Sequence, residues 1–244
     1  MTKSYISLLL LALPFGIINA QQSKTNQFAD LSVNAGKSQG TAALSYVYNW
    51  KLGKKKKWEA GLGLRLTGYA GTKRDFTTAP GRLARSTTIP FVIVFAGQET
   101  QNWDTLTVQR PLVGSLNLSA NFGYALSSNW SLGFNIDLIG FSVGRKSSAI
   151  LTSNGVTRNE PLAKPAVFNL LLTGDNDLGS LNSEFFLRYK LSQKWSIRAV
   201  YQFYFAEYKT NTVLQTAPDG TMVDRFRNKA NLFGLGVSYH FNKQ

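Results

Sequence analysis

The 244 residues contain no cysteine, which excludes a disulfide framework, a thiolate metal centre and a lipidated N-terminal cysteine. Histidine is almost as scarce: His240 is the only one. Acidic residues are few, 13 against 27 Lys and Arg, which leaves a formal net charge of +14. After the first twenty residues no apolar run approaches the length of a membrane-spanning helix, and the mean hydropathy is only −0.13. A helical membrane protein is therefore excluded. The basic balance suits either nucleic acid or an anionic membrane surface.

What the chain does have is aromatic residues, 16 Phe, 10 Tyr and 5 Trp, and an amino-terminal segment with the make-up of a secretory signal. Lys3 supplies the positive end, Ile6 to Ile18 the short apolar core, and Ala20 a cleavage point. Residues 1–20 are thus expected to be a cleaved signal peptide and 21–244 the mature domain. Export argues against nucleic acid as a partner.

The mature chain alternates apolar and polar residues with period two, the mark of strands with two unlike faces. Eight stretches show it: Phe28 to Gly36, Thr41 to Leu52, Trp58 to Ala70, Leu112 to Leu126, Trp130 to Gly144, Leu181 to Leu191, Trp195 to Tyr208 and Asn228 to Phe241. In the last, Phe233, Leu235, Val237, Tyr239 and Phe241 oppose Gly234, Gly236, Ser238 and His240. Connections at 53–57, 127–129 and 192–194 are short, whereas 71–111, 145–179 and 210–227 are long. The long ones read as basic, irregular loops. The first of them holds one apolar run, Ile89 to Ala96, that could add a hairpin and raise the count to ten strands. One hairpin repeats: Tyr124-Ala-Leu-Ser-Ser-Asn-Trp130-Ser and Tyr189-Lys-Leu-Ser-Gln-Lys-Trp195-Ser. Tyr48 to Trp58 is a looser copy. The repeat gathers aromatics at one end of the sheet.

The polar face of these strands is Gly, Ser, Asn and Thr rather than the Lys and Glu of a water-washed surface. Small polar residues suit a crowded interior, and the nearly charge-free apolar face suits lipid. Short turns at one end, mostly long loops at the other (the tight Gly-Lys-Ser-Gln-Gly turn at 36–40 excepted) and strands of eleven or more residues complete the pattern of a transmembrane barrel. The reading is all-β, an eight-stranded antiparallel transmembrane β-barrel with both termini on the periplasmic side. Signal, strands, Tyr-x-Leu-Ser-x-x-Trp-Ser hairpins and an aromatic-ended last strand resemble the small outer-membrane β-barrel proteins of Gram-negative bacteria, the OmpA/OmpW-like porin family. The resemblance covers the mature chain and rests on pattern. It implies an integral bacterial outer-membrane protein of the cell envelope, and it makes Gly236, Tyr239 and Phe241 part of a signal read by the barrel-assembly machinery. Asn242-Lys243-Gln244 after Phe241 departs from the usual aromatic end.

The inward parity carries the charged candidates Glu59, Arg65, Asp137, Glu184, Arg188, Lys190 and Arg198. A lumen barely wide enough for side chains would pair them, either as a fixed plug or as the gate of a narrow pore. Lys73, Arg74, Arg82, Arg85, Arg145 and Lys146 in the long loops are candidates for contact with lipopolysaccharide or another anion. His240 falls at the inner end of the last strand, away from an outer-rim active site. Gly174-Asp-Asn-Asp-Leu-Gly179 has calcium-like acidic spacing without the later ligands, and reads as an Asx turn. No catalytic residue, metal site or cofactor is expected. The leading expectation is a non-enzymatic, monomeric outer-membrane protein with a structural or surface-interacting role and an unnamed ligand. The alternatives are a narrow porin or channel for small solutes or hydrophobic compounds, and an outer-rim lipid-modifying enzyme.

Overall fold

The computed structural model describes residues 24–241; the expected signal peptide and residues 242–244 lie outside them. Strands β1 (Thr25–Gly36), β2 (Gln39–Leu52) and β3 (Trp58–Gly71) run antiparallel, and β4 (Lys73–Thr78) prolongs β3. A helical turn α1 (Gly81–Ala84) and two 3-10 turns (Val92–Phe95, Thr100–Asn102) precede β5 (Thr105–Gln109). Then come β6 (Leu112–Ala125), β7 (Trp130–Gly144), β8 (Ser147–Ser153), β9 (Val156–Pro165) and β10 (Phe168–Leu170). After a 3-10 turn (Gly174–Asn176) follow β11 (Leu181–Lys190), β12 (Trp195–Lys209), β13 (Gln215–Thr216), β14 (Met222–Val223) and β15 (Arg225–His240). Thirteen strands share one sheet, and β13–β14 form a separate hairpin.

Two closed circuits of pairing run through this sheet. The lower passes β1–β2–β3–β6–β7–β11–β12–β15 and returns to β1. The upper passes β15–β4–β5–β8–β9–β12 and returns to β15. Strands β12 and β15, of 15 and 16 residues, serve both. The expectation of irregular connections at 71–111 and 145–179 is therefore corrected: they carry β4, β5, β8, β9 and β10. Ile89 to Ala96 is not a hairpin arm. Pro90 lacks an N–H for a ladder, and Val92–Phe95 coils into a 3-10 turn.

The two circuits have opposite interiors. On β15 the inward positions change from Gly234, Gly236, Ser238 and His240 below to Phe226, Ala230 and Leu232 above. The upper interior is an apolar core built from Phe76, Leu106, Val108, Ala149, Leu151, Tyr208, Phe226 and their neighbours. The lower interior is polar, and its exterior carries exposed Leu31, Val33, Leu44, Leu64, Leu66, Leu116, Phe185, Phe233 and Leu235. One register shift matters. A bulge opposite Leu118 and Ser119 moves Leu138 off the outward face where alternation places it. Ile139, Phe141 and Val143 point out instead, while Asp137 stays buried inside.

The repeated hairpins share one turn chemistry. Ser127 Oγ accepts from the N–H groups of Asn129 and Trp130 at 3.3 and 3.1 Å. Ser192 Oγ accepts from Lys194 and Trp195 at the same distances. The Trp that follows each turn packs on a Tyr of the neighbouring strand: Trp130 on Tyr189 at 4.7 Å and Trp195 on Tyr239 at 5.0 Å, with Trp58 on Tyr124 at 4.6 Å. An aromatic girdle thus marks the short-turn end.

Candidate functional site: the lumen and the outer rim

Arg65 projects inward from the middle of β3, with 1% of its side chain exposed. It stands 3.4 Å from Asp137 and 3.8 Å from Glu184, and it donates to Asn135 Oδ1 at 2.6 Å. Arg198 lies 3.6 Å from Glu184 and 3.3 Å from Asp30, and Arg188 lies 3.6 Å from Asp30. Five of the seven charged candidates are therefore joined in one network, and Asp30 completes it. Asp30 sits on the inward parity of β1, so alternation placed it correctly; its role as the shared partner of two arginines was missed. Phe28 and Phe186 pack against the arginines, with the Arg188 guanidinium 4.2 and 5.0 Å from their rings and that of Arg198 4.6 Å from Phe186.

Glu59 and Lys190 stand apart from this network, at the short-turn mouth. Asn26 and Asn49 donate to Glu59, at 2.9 and 3.2 Å. Both residues line a mouth cavity of about 170 Å³ that reaches in as far as Asp30 and Arg188. Above the arginines, Asn117 donates to Asp137 at 2.7 Å and Gln202 to Glu184 at 3.3 Å. Tyr69 and Tyr204 stack there at 5.1 Å, and the apolar core of the upper circuit follows. The lumen is filled in turn by ions, aromatics and hydrocarbon. A larger apolar groove, of about 750 Å³, opens on the outer wall between residues such as Phe122, Phe134, Phe185 and Phe233. It lies on the apolar outer wall and not in the lumen.

His240 is fully buried at the inner end of β15. Its Nε2 is 2.9 Å from Ser196 Oγ and its Nδ1 3.0 Å from Asn26 Oδ1. A hydroxyl, an imidazole and an amide in line have the connectivity of a nucleophile relay. Ser196 is, however, buried completely, so no substrate carbonyl reaches its oxygen. The relay clasps β1, β12 and β15.

The basic loop residues divide into two groups. Lys73, Arg145 and Lys146 are exposed where β3, β6 and β7 end, and Arg74 beside them donates to Lys37 O at 3.0 Å. Arg110, at φ 47°, and Lys37 are exposed at the same rim. Arg82 and Arg85 are engaged elsewhere: Arg82 pairs with Asp219 at 2.8 Å, and Arg85 pairs with Asp175. Asp175 also meets Arg227 at 3.6 Å and Lys229 at 2.5 Å, and Glu207 receives Arg225 and Arg227 at 2.8 and 3.0 Å. This second cluster lies on the outward parity of β12 and β15, under the loop that sequence suggested as an Asx turn. Burial raises the Asp175 pKa, but hydrogen bonds from Lys229 and Arg85 outweigh it and hold the carboxyl below its ordinary value. Asp177 is pushed up to about 6 by burial, with Asp175 and Glu207 adding to the effect. No group of acidic or histidine residues able to hold a metal ion occurs among the described residues.

The lower circuit closes on itself, as a sheet in lipid must, and a polar lumen inside an apolar wall is the reverse of a water-soluble barrel. With short turns and an aromatic girdle below, and connections above that are long apart from the β1–β2 turn, this is the architecture of a small outer-membrane β-barrel. No protein-family model matches the sequence, and no curated protein matches it. Among solved structures, the chain is similar to Neisserial surface protein A at 10% identity and a TM-score of 0.36, over 90% of this chain and 98% of that one. It is similar to Ail, the attachment invasion locus protein of Yersinia pestis, at 11% identity and 0.35, over 89% and 99%. A major outer membrane protein from Thermus thermophilus gives 13% identity and 0.37, over 89% and 99%.

Assembly-signal candidates lie on β15 and just beyond it. Gly236 faces the lumen, where a Cβ would lie 3.1 Å from Arg198 Nε. Tyr239 and Phe241 form an edge contact at 5.4 Å, and Phe241 also meets Tyr46 at 5.9 Å.

Proposed function

We propose that the protein is a non-enzymatic, integral outer-membrane protein whose eight-strand lower barrel is a sealed anchor for a folded extracellular unit. The observation that carries this reading is the continuous filling of the interior, from the Arg65–Asp137–Glu184 network to the apolar core around Phe226. A gated pore would have to break several buried ion pairs and then empty a hydrocarbon core. That double barrier favours the anchor over the narrow channel. The enclosed Ser196 hydroxyl likewise favours a non-enzymatic role.

The exposed ring of Lys37, Lys73, Arg110, Arg145 and Lys146 stands where the β3, β6 and β7 walls end, at the height of outer-leaflet headgroups. Contact with lipopolysaccharide phosphates is the role we assign to it, with Arg74 in support. The upper circuit and the β13–β14 hairpin are then the surface offered to a partner. Purified protein in planar bilayers tests the reading: discrete openings would refute the sealed anchor, and a flat record under applied voltage would support it.

A further inference from the structure

Residues 86–97 form a closed excursion from the outer wall. Ser86 N donates to Gly97 O at 3.1 Å, and Arg85 and Gln98 bridge just outside, so the neck is pinned. Within it only Ile93 is fully buried, and it packs on Gly174, where a Cβ would lie 3.0 Å from Ile93 Cγ2. Asn176 Nδ2 donates to Thr88 O at 3.0 Å, which ties the excursion to the 171–178 loop. The side chains left over are apolar and face outward: Ile89, Val92 and Val94 are exposed, Phe91 is 79% exposed and Phe95 90%. Seven residues of sequence, Ile89 to Phe95, thus present five uncovered hydrophobic side chains. Such a patch on a soluble surface marks a missing partner.

Its position says which partner. The outward face of β7 rises through Ile139, Phe141 and Val143, all exposed. Phe168 of β10 packs on Phe141 at 5.9 Å, and Val167 and Leu172 continue the exposed apolar surface. Two residues after Leu172 the chain reaches Gly174, the seat of Ile93. The exposed apolar residues of β7 and β10 thus lead along the chain to the 171–178 loop on which the apolar excursion is seated. We propose that residues 89–95 dip into the leaflet at the long-loop end of the barrel, with Phe91 and Phe95 among the acyl chains. The excursion is then a second, monotopic attachment beside the spanning wall. It holds the upper unit against the membrane surface on the β7–β11–β12 side. This inference rests on the membrane-spanning reading of the lower barrel.

The absence of native cysteine makes a direct test simple. Phe95→Cys and, as a reference on the spanning wall, Leu235→Cys are each labelled with bimane and reconstituted in vesicles at a high lipid-to-protein ratio. Asp219→Cys, at the exposed β13–β14 tip, is the aqueous reference. The expected result is blue-shifted Phe95 emission, quenched by lipids carrying nitroxide on the acyl chain and insensitive to aqueous iodide, as at position 235. Iodide quenching at 95 together with lipid quenching at 235 would overturn the insertion while leaving the barrel reading intact. Iodide quenching at both positions would overturn the barrel reading, and the insertion with it. Disulfide crosslinking of Phe95→Cys between dilute copies would overturn the insertion in favour of a self-association face.

Discussion

Three arginines and three carboxylates share the middle of the lower lumen, and each guanidinium is held by a partner from a strand distant in sequence. Such a network stabilises little in total, because desolvation of the ions consumes most of the Coulomb gain. Removing one member is another matter. Arg65→Leu leaves Asp137 and Glu184 facing each other without their shared cation, and we expect a loss of about 3–5 kcal/mol. Urea unfolding of the refolded protein in vesicles, followed by tryptophan emission, measures it. Glu160, in the upper unit, works differently. Its Oε2 accepts from the N–H groups of Asn211, Thr212 and Val213 at 3.0, 2.7 and 3.0 Å, and Oε1 accepts from Leu162 at 3.0 Å. Burial opposes ionisation there, yet the four donors win and the carboxyl titrates below its ordinary 4.5. Its contribution is therefore present above about pH 4.5 and lost as pH falls through its lowered value. Asp177 has the opposite sign: its contribution is complete below the ordinary 3.8 and is lost as pH rises through about 6. Protease resistance of the 171–178 and 211–224 segments, followed across the acid and neutral range, separates the two. Glu160→Gln flattens the acid limb, and Asp177→Asn flattens the limb near pH 6.

At the scale of elements, β12 and β15 matter most because they belong to both circuits. Their lower halves close a polar lumen, and their upper halves close an apolar core, so damage above need not open the barrel below. Phe226→Ala removes a fully buried ring from the upper core. About 3–5 kcal/mol of local stability should go with it. Limited proteolysis should then cut within 73–109 and 147–165, while the heat-modifiable, SDS-resistant form of the barrel persists. Loss of both together would mean that the two circuits fold as one unit.

Most of the lower circuit could be read from alternation, because each of its strands has one apolar outer face and one face on a polar lumen. The upper strands escaped that reading for a physical reason. β4 carries a single large apolar residue, Phe76, and β9 is interrupted by Pro161 and Pro165. β5 and β8 do alternate, with Leu106, Val108, Ala149 and Leu151 inward, but over only 5 and 7 residues. The Leu138 error has a similar source: a bulge changes the phase of alternation, and the consecutive pair Leu138-Ile139 was its only trace in sequence. The lumenal charges were visible through parity. The Asp175–Arg227–Lys229 cluster was not, since Asp175 and Arg227 look like loop charges and Lys229 sits on the outward parity of its strand, where nothing in sequence supplies a partner.

For the whole molecule, the decisive property is an exterior that only hydrocarbon can cover. Leu235 is 73% exposed at the middle of β15, whereas Leu232, three residues away, is buried in the upper core. In water, an arginine at so exposed a site would be nearly neutral. In a bilayer the same change should cost about 2–4 kcal/mol near the midplane, falling to about 0–1 near the interface. Leu235→Arg and Leu64→Arg should therefore be strongly destabilising in vesicles. Leu52→Arg, at the girdle end of β2, should be mild although its side chain is 47% exposed. The measurement is equilibrium unfolding of the three variants in one lipid. A graded loss that follows depth supports a barrel lying in lipid across this band, and a uniform, near-zero effect would place the exterior in water. Leu232→Arg gives the complementary case: its cost should be large in lipid and detergent alike, because the side chain it replaces meets only the protein's own core.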